Sequence, residues 1–359
     1  MTPTKGYAAQ AAGIPLAPFE FNRREPGPKD VEIEILYCGV CHSDLHQVRD
    51  EWGGALFPMV PGHEIVGRVR RVGAEVTNFR EGDLAGVGCM IDSCRSCQSC
   101  REGQEQYCEE GFTGTYNSRE RTSGQPAYGG YSNLIVTDEA FVLRVSEQLS
   151  LEGVAPLLCA GITTYSPLRY WKVGAGHKVG VLGLGGLGHM AVKFAVSFGA
   201  EVTMLSTSPS KEEDARRLGA HRFALTSSAE ALKGLNNYFD FIIDTVSAPH
   251  DYNTYLSMLR TNGVMICVGA PPAPAQIPAF NLIFNRRSIG GSLIGGIRET
   301  QEMLDYCAEH GITSDVEVIN IQQINSAYER MLKGDVRYRF VIDIQSLNEQ
   351  GKGDNHNEF

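Results

Sequence analysis

Apolar and polar residues alternate in the first part of the chain, which predicts half-exposed β-strands. Residues 31–37 read Val-Glu-Ile-Glu-Ile-Leu-Tyr, and residues 66–72 show much the same alternation. A period of two places one side of a strand on a core and the other side in solvent. Gly73 and the pair Gly82-Asp83 mark turns. This part is therefore predicted to form an antiparallel, barrel-like domain.

Short apolar segments alternate with helix-like patterns after about residue 152. Such alternation predicts a parallel sheet with helices on both faces, a doubly wound α/β domain. A helix at residues 299–310 and a strand at 339–344 follow, and the polar residues 348–359 are expected to be frayed. The alternating segments are the strands 178–182, 201–205, 239–244 and 264–268 and the helices 186–198 and 212–218.

Length, charge and cysteine content limit the possible functions. A chain of 359 residues with 42% hydrophobic residues suits two globular domains. The net charge of −10 argues against nucleic acid or an anionic membrane as a partner, since both are polyanions. The chain has no apolar run of about 18 residues, so no membrane span is predicted. The N-terminus lacks the apolar core of a signal peptide. Ten cysteines in such a chain indicate the reducing cytosol.

Four cysteines with short spacings predict a metal site. They follow the pattern C-x2-C-x2-C-x7-C at Cys94, Cys97, Cys100 and Cys108. Four thiolates brought together by tight turns can surround one tetrahedral Zn²⁺, and such closed sites are structural. The alternatives are two disulfides, four unrelated buried thiols or an iron–sulfur cluster, since related spacings occur in ferredoxins. The intracellular character of the chain favours a metal over disulfides.

A glycine-rich segment with the pattern G-x-G-x-x-G lies between the strand 178–182 and the following helix. Glycine lets the backbone turn tightly and approach a pyrophosphate, which then meets the free N–H groups of the helix N-terminus. This context predicts dinucleotide binding, and the alternative is a plain tight turn. The segment consists of Gly183, Leu184, Gly185, Gly186, Leu187 and Gly188.

The residues after the second strand of this domain indicate which coenzyme is used. An NAD enzyme usually carries an acidic residue there, about 20 residues after the glycines, whereas this chain carries hydroxyl and amino groups. Such donors favour a 2′-phosphate, which a carboxylate would repel, so NADP(H) is preferred to NAD(H). The alternative is a solvated turn in which Ser208 and Ser210 cap the next helix. The predicted donors are Ser206, Thr207, Ser208 and Lys211.

Three residues that are far apart in the chain could form an open catalytic zinc site. Cys41, His63 and Cys159 would supply two thiolates and an imidazole and leave a position for water or a substrate oxygen. Spacing alone leaves simpler alternatives open. Cys159 lies in an apolar run and could be a core residue, and His63 could be an ordinary loop histidine.

Together these motifs resemble those of the zinc-dependent medium-chain dehydrogenase/reductase superfamily. Within it the chain is most similar to the cinnamyl alcohol dehydrogenase branch, especially its bacterial NADPH-dependent aldehyde reductases of broad specificity. The resemblance covers about residues 7–344. Besides the cysteine cluster and the glycine segment, it rests on residues 39–46, 61–64, 156–163, 299–304 and 335–341.

This resemblance implies a GroES-like catalytic domain of the antiparallel barrel type and a Rossmann nucleotide-binding domain. The catalytic domain is expected at residues 1–155, with a structural-zinc loop at about 89–110, and the chain returns to it at 295–346. The Rossmann domain is expected at 156–294. Residues 347–359 are expected to form a polar tail.

The resemblance also implies the surroundings of the catalytic zinc. Cys41, His63 and Cys159 would be its ligands, and Glu64 would lie close enough to replace water as a fourth ligand. Asp44 would accept a hydrogen bond from the zinc-binding histidine and orient it. Without the resemblance, Asp44 could equally be a helix cap.

Further residues match positions that relay protons or contact the coenzyme or the substrate in this family. Ser43 and His46 match the proton relay, and Ser43 also contacts the coenzyme. Trp52 matches an aromatic position near the mouth of the active site, although a tryptophan in a loop is often only a packing residue. The remaining coenzyme contacts implied are Thr163, Thr245, Gly269, Ser292, Leu293 and Ile294.

The expected function is the reduction of aldehydes to primary alcohols by a cytoplasmic homodimer with two zinc ions per subunit and NADP(H). Plant lignin enzymes carry a tryptophan just before a Tyr-Asn pair, where this chain has residues 113–115, Thr-Gly-Thr. The smaller side chains favour a broad range of aromatic and aliphatic aldehydes. The alternatives are an NAD-dependent alcohol or polyol dehydrogenase, a non-catalytic NADPH-binding redox protein, and a zinc hydrolase.

Overall fold

The computed structural model describes residues 1–272 and 274–348. The chain divides into two compact units. The first unit comprises Met1–Leu158 together with the chain from Asp315 onwards, and the second unit comprises Cys159–Ser314.

The first stretch of the first unit consists mainly of short strands. They are β1 (Thr2–Ala8), β2 (Ala17–Arg23), β3 (Asp30–Gly39), β4 (Ile65–Val72), β5 (Leu84–Val87), β6 (Met90–Asp92), β7 (Thr113–Gly114), β8 (Ser118–Arg119), β9 (Pro126–Ala127), β10 (Leu134–Asp138) and β11 (Leu143–Arg144). Its helices are α1 (His42–Val48), α2 (Gln98–Arg101) and α3 (Leu151–Val154), with 3-10 helices at Glu105–Tyr107, Glu139–Phe141 and Ala155–Leu158.

The second unit alternates helices and strands. Its helices are α4 (Ala160–Tyr170), α5 (Gly188–Ser197), α6 (Glu212–Arg217), α7 (Ala229–Leu232), α8 (Tyr252–Met258), α9 (Phe280–Ile283) and α10 (Ile297–His310), with 3-10 helices at Pro209–Lys211 and Lys233–Leu235. Its strands are β12 (Lys178–Leu182), β13 (Glu201–Ser206), β14 (Arg222–Leu225), β15 (Phe239–Asp244), β16 (Leu259–Cys267) and β17 (Ser288–Gly291).

The chain then returns to the first unit. The returning elements are β18 (Val316–Asn320), α11 (Ile324–Leu332) and β19 (Arg339–Asp343), with 3-10 helices at Ile321–Gln323 and Ile344–Asn348.

The main sheet of the first unit follows the order β11–β5–β4–β3–β19–β18, and β10 also pairs with β3. All of these pairs are antiparallel except β18 with β19. Ile33 and Ile35 of β3 are buried in the core, as the alternation predicts, and Glu34 is exposed. Glu32 departs from the alternation because it is buried against Arg71, whose guanidinium binds both of its carboxylate oxygens.

The second unit is built on one parallel sheet of the order β14–β13–β12–β15–β16–β17. The strand order reverses between β12 and β15, which are direct neighbours. In such doubly wound sheets the ligand-binding crevice lies at this reversal, beyond the carboxyl ends of the strands. In the part of the chain that the structure describes, no helix is both long and apolar enough to cross a bilayer.

The elements predicted from sequence periodicity are largely confirmed. Lys178–Leu182 and Phe239–Asp244 form strands with the predicted bounds. The helix expected from residue 186 begins at Gly188, because residues 183–187 form the turn after β12. Asn348, expected to be frayed, ends a 3-10 helix, and residues 349–359 lie outside the described residues.

The return to the first unit occurs at Asp315, later than the expected residue 295. The cause is helix α10, which packs within the second unit. The ring of Tyr306 on this helix lies 5.8 Å from the ring of Tyr165, and its hydroxyl lies 2.6 Å from Ser197 Oγ. The first boundary falls after Leu158, close to the expected residue 155.

Candidate active site and metal centres

Four buried side chains bring their donor atoms together beside the main sheet of the first unit. Cys41 caps the N-terminus of α1, and His63 and Glu64 directly precede β4. Cys159 follows Leu158, the last residue of this stretch of the first unit. One donor atom from each of these residues lies within 4.8 Å of the other three. The structure thus brings together the three predicted zinc ligands and Glu64.

Asp44 connects two of these ligands. Its carboxylate accepts hydrogen bonds from the backbone N–H groups of Cys41, at 2.9 Å, and Gly62, at 3.1 Å. It also lies 3.0 Å from His63 Nδ1. Burial lowers the pKa of His63, but the charges of Asp44 and Cys89 and the hydrogen bonds to Asp44 and Cys41 together outweigh burial and raise this pKa well above its ordinary value. Since Nδ1 faces the carboxylate, Nε2 is the atom that can bind a metal.

Three buried tyrosines surround Asp44 and His63. The ring of Tyr116 stacks on His63 with 5.8 Å between ring centroids. The Tyr131 hydroxyl donates to Asp44 at 3.3 Å, and the Tyr328 hydroxyl donates to Tyr131 at 3.4 Å. Burial, followed by the charge of Asp44, raises the pKa of all three tyrosines. Their sequence positions gave no signal of this arrangement, because the three lie on distant parts of the chain.

Glu64 makes an ion pair that the sequence did not predict. The Arg339 guanidinium donates to Glu64 Oε1, and both side chains are buried. The other oxygen, Oε2, has no hydrogen-bond partner among the described residues. Burial raises the pKa of Glu64 to about 7, although Arg339 opposes this shift. A Cβ on Gly39 would lie 1.8 Å from Oε2, so glycine leaves the space that the carboxylate occupies.

Helix α1 also carries the residues predicted to relay protons. Ser43 Oγ lies 3.6 Å from Cys41 Sγ, beside the metal-binding group. His46, three residues further along the helix, has its Nδ1 2.5 Å from Glu51 Oε2. The ring of Trp52 lies 5.0 Å from the His46 ring and remains 56% exposed. Glu51 is a contact of His46 that the sequence did not single out.

The four-cysteine cluster forms a second group of possible metal ligands. The four sulfurs of Cys94, Cys97, Cys100 and Cys108 all lie within 4.8 Å of one another. Tetrahedral Zn–S bonds of about 2.3 Å place sulfurs about 3.8 Å apart, and the Cys94–Cys100 distance is 3.9 Å. This spacing fits one ion better than a multi-iron cluster. None of the chain's ten cysteines, all within the described residues, forms a disulfide.

Backbone N–H groups point at two sulfurs of this cluster. The N–H of Cys94 points at Cys108 Sγ, and that of Cys97 at Cys94 Sγ. Hydrogen bonds from the backbone of Ser96 and Cys97 lower the pKa of Cys94 to about 6. The thiolate, rather than the thiol, is the form that binds metal.

The glycine segment forms the turn between β12 and α5 in the second unit. Gly183 has φ of +88°, and a Cβ on Gly188 would lie 1.8 Å from Gly183 O. A Cβ on Gly185 would meet no atom within 4 Å. The first and last glycines therefore close the turn, and the middle one leaves open space of the kind that a pyrophosphate occupies.

The predicted phosphate donors follow β13. Ser206 is buried, and its Oγ accepts a hydrogen bond from the N–H of Ser208 at 3.2 Å. Ser208 Oγ lies 2.9 Å from Ser210 Oγ, and the side chain of Thr207 is exposed. Residues 206–211 contain no carboxylate. The end of this strand thus offers hydroxyl groups and Lys211.

Most of the other predicted coenzyme contacts lie beyond the carboxyl ends of neighbouring strands. Thr245 follows β15, and its Oγ1 donates to Leu182 O at 2.8 Å and Gly183 O at 3.1 Å. Gly269 follows β16, and residues 292–294 follow β17. Thr163 instead lies on α4, where it is buried. The loops after β12, β15, β16 and β17 therefore share one edge of the sheet.

Comparisons with known proteins match both units. Residues 27–147 match the alcohol dehydrogenase GroES-like domain, and residues 186–309 match the zinc-binding dehydrogenase family. The aldehyde reductase YahK of Escherichia coli is 56% identical over 96% of this chain and 99% of its own length. The NADP-dependent alcohol dehydrogenase C of Mycobacterium bovis is 53% identical over 97% and 100%. A solved cinnamyl alcohol dehydrogenase of Sorghum bicolor gives a TM-score of 0.93 at 45% identity, with both chains covered completely.

Proposed function

Because the chain belongs to the zinc-dependent medium-chain dehydrogenase/reductase superfamily, we propose that it reduces aldehydes to primary alcohols with NADPH, in a reversible reaction. The observation that carries this proposal is the buried group of Cys41, His63, Glu64 and Cys159, with donor atoms within 4.8 Å of one another. Two thiolates and an imidazole are a ligand set of open catalytic zinc sites. A similar aldehyde reductase and a similar NADP-dependent alcohol dehydrogenase support the same reaction.

The donor atoms of this group fit a zinc ion. Cys41, His63 and Cys159 would hold it, and the second oxygen of Glu64, which lacks a partner among the described residues, is available as a further donor. When bound, zinc supplies a Lewis acid that polarises a carbonyl group. Asp44 keeps the imidazole oriented because it engages Nδ1.

Ser43 and His46 are proposed to deliver a proton to the oxygen of the reduced substrate. Ser43 lies beside the metal-binding group, 3.6 Å from Cys41 Sγ. His46 lies on the same helix and contacts Glu51, whose side chain is 42% exposed. Glu51 can therefore exchange protons with solvent and pass them to His46.

The second unit is proposed to bind NADP(H), which supplies the hydride when bound. The open space at Gly185 suits the pyrophosphate, at the N-terminus of α5. Ser206, Thr207, Ser208 and Lys211 are proposed to bind the 2′-phosphate. The other proposed contacts are Ser43, Thr163, Gly183, Leu184, Gly186, Leu187, Gly188, Thr245, Gly269, Ser292, Leu293 and Ile294.

The proposed substrates are aromatic and aliphatic aldehydes of a broad range. Trp52 packs against the ring of His46, a member of the proposed relay, and is half-exposed, so it can contact an aromatic substrate. Residues 113–115 are Thr-Gly-Thr and supply no large aromatic side chain, which supports a broad range of substrates.

We also propose that the protein is a cytoplasmic homodimer. Phe280, Ile283 and Phe284 are 62%, 64% and 78% exposed, and in the sequence they shortly precede β17, the edge strand of the parallel sheet. An exposed sheet edge with apolar neighbours favours pairing with a second chain. The thiolate ligands of the two zinc sites favour a reducing compartment.

A coenzyme and aldehyde panel tests the proposed function. Purified protein is assayed with aromatic and aliphatic aldehydes, with NADPH or NADH, while zinc is counted per chain. We expect two zinc ions, turnover of several aldehydes and a clear preference for NADPH. Faster turnover with NADH would favour an NAD-dependent alcohol or polyol dehydrogenase, and NADPH binding without turnover would favour a redox-binding protein.

A further inference from the structure

We propose that His250 is a positioning residue for coenzyme binding, because it locks the loop of residues 245–249 at the carboxyl end of β15. This inference rests on the proposed function, since it adds a residue to the same coenzyme site. No sequence motif pointed to His250.

The loop lies at the point where the strand order of the second unit reverses. β12 and β15 are neighbours in the parallel sheet. β13 and β14 lie on the far side of β12, and β16 and β17 lie on the far side of β15. The glycine segment follows β12, and residues 245–249 follow β15. These two loops therefore flank the crevice in which a doubly wound sheet binds a dinucleotide.

Asp244 and His250 tie the two ends of the loop together. Asp244 is fully buried, and its Oδ1 accepts a hydrogen bond from Val246 N–H at 3.0 Å. Its Oδ2 lies 3.0 Å from His250 Nε2. His250 Nδ1 lies 2.9 Å from Ala248 O, within the same loop. One carboxylate and one imidazole thus fix both the start and the end of the loop.

Hydrogen-bonding chemistry sets the number of protons that the pair holds. Nδ1 of His250 faces a carbonyl oxygen, which can only accept, so Nδ1 must carry a hydrogen. Nε2 faces the Asp244 carboxylate, so a single hydrogen lies between these two atoms. The pair is therefore neutral as a whole, which suits a site where Asp244 has no contact with solvent.

Aromatic rings hold the imidazole in this position. The ring of His250 stacks on Tyr252 with 4.7 Å between centroids and an angle of 16°. Tyr255 meets it edge-on at 5.9 Å. Both tyrosines lie on α8, so the His250 ring is held by a helix of the second unit as well as by the loop.

The loop of residues 245–249 packs directly against Gly183 and Gly269, two of the proposed coenzyme contacts. A Cβ on Gly183 would lie 2.7 Å from Val246 Cγ2, and a Cβ on Gly269 would lie 2.4 Å from Val246 O. Thr245 Oγ1 donates to Gly183 O at 3.1 Å. A shift of the loop would therefore alter the shape of the glycine segment that receives the pyrophosphate.

The His250→Leu variant tests this role. Leucine removes both hydrogen bonds and leaves one oxygen of Asp244 without its partner. If the competent loop is then present in about one tenth of the molecules, the apparent Kd for NADPH rises about tenfold. Since bound coenzyme restores the loop, kcat at saturating NADPH should change less than about threefold.

Conservative variants separate positioning from general damage. In His250→Gln the amide N–H lies near the position of Nε2 and can donate to Asp244, so most of the affinity should remain. In Asp244→Asn the amide can donate to Nε2 of a neutral His250, so this variant should also bind NADPH well. His177→Leu is a matched control, because His177 bonds to Gly174 N at 3.1 Å at the opposite edge of the sheet.

The measurements are the Kd for NADPH by titration calorimetry and hydrogen exchange of residues 245–249 without coenzyme. We expect faster exchange and the affinity loss in His250→Leu, and near wild-type values in His250→Gln and His177→Leu. An unchanged Kd in His250→Leu, or an equal loss in His250→Gln, would overturn the proposal. If His250→Leu fails to fold, His250→Gln and Asp244→Asn test the proposal instead. A large loss of NADPH affinity in both variants would contradict the positioning role of His250. Failure of the proposed function would look different, because wild-type protein would then not bind NADPH.

Discussion

The Arg339 guanidinium binds the buried carboxylate of Glu64, although 275 residues separate them in the sequence. Arg339 lies on β19, in the segment that returns to the first unit, and Glu64 belongs to the candidate catalytic zinc group. The ion pair therefore connects β19, near the end of the described chain, to the candidate catalytic zinc group.

Removing Arg339 should destabilise the protein. Arg339→Met leaves the Glu64 carboxylate buried without its cation, and breaking a buried pair in this way costs about 3–5 kcal/mol. The free energy of unfolding is measured in urea with zinc present. The double variant Glu64→Gln/Arg339→Met should recover part of the loss, because no buried charge remains unpaired. Equal stability of wild type and Arg339→Met would contradict this account.

Cys159→Ser should abolish turnover because it removes one of the three proposed catalytic zinc ligands. We expect the zinc content to fall from two ions to one and the Kd for NADPH to change less than about threefold, since the glycine segment is untouched. Zinc is counted by elemental analysis alongside the aldehyde assay. Wild-type turnover in Cys159→Ser would refute the assignment of this cysteine. Cys307→Ser is the control, because Cys307 is buried in α10 and belongs to neither metal group.

Cys100→Ser should instead lower stability. Structural zinc binding is coupled to folding, so the loss of one of four thiolates should release the ion and unfold the structural-zinc loop, residues 89–110. Thermal unfolding and limited proteolysis of residues 89–110 report this directly. A variant that keeps two zinc ions and its melting temperature would show that the cluster does not hold a structural ion.

Ser206→Asp should shift the coenzyme preference towards NADH. A carboxylate at the end of β13 repels a 2′-phosphate and can accept hydrogen bonds from the ribose hydroxyls of NAD. We expect the ratio of kcat/KM for NADPH to that for NADH to fall at least about tenfold, which corresponds to about 1.4 kcal/mol. Asn236→Asp adds the same charge before β15, at the opposite edge of the sheet, and should leave the ratio unchanged. A constant ratio in Ser206→Asp would mean that the phosphate binds elsewhere.

Phe284→Lys should weaken the proposed homodimer. This ring is 78% exposed and lies four residues before the edge strand β17 in the sequence, and a lysine there would place charge in the proposed apolar contact. Mass measured by light scattering after size-exclusion chromatography should fall towards 39.2 kDa, the mass of one chain. Leu332→Lys changes another exposed apolar residue, which is 51% exposed and lies in the first unit, and should not affect the mass. A monomeric wild type would end this proposal.

Residues in local patterns were predicted well from the sequence. The strands Lys178–Leu182 and Phe239–Asp244, with the intervening glycine turn, carry a periodicity that depends only on neighbours in the chain. The four-cysteine group was also recognisable from its spacing, because metals restrict ligand types strongly. The group of Cys41, His63 and Cys159 was predicted only through the family resemblance, since spacing alone left simpler alternatives open.

Contacts between distant segments were not predictable in this way. The pairing of Glu64 with Arg339, the stacking of Tyr116 on His63 and the burial of Glu32 depend on which strands become neighbours. An isolated arginine or tyrosine has the same local sequence signature on a surface as in a core. Only the folded chain distinguishes these cases, which is why most of the residues surrounding the candidate zinc ligands were found in the structure.

The return of the chain at Asp315 also determines the order in which the protein can fold during its synthesis. The second unit, Cys159–Ser314, is one continuous stretch, so all of its residues have been translated before those of the returning segment. The first unit begins earlier but lacks β19, which pairs with β3 in its sheet, until residues 339–343 have been translated. The unit that starts first is therefore completed last, and a nascent chain that stalls before residue 339 leaves residues 37–39 of β3 without their partner strand, which favours aggregation.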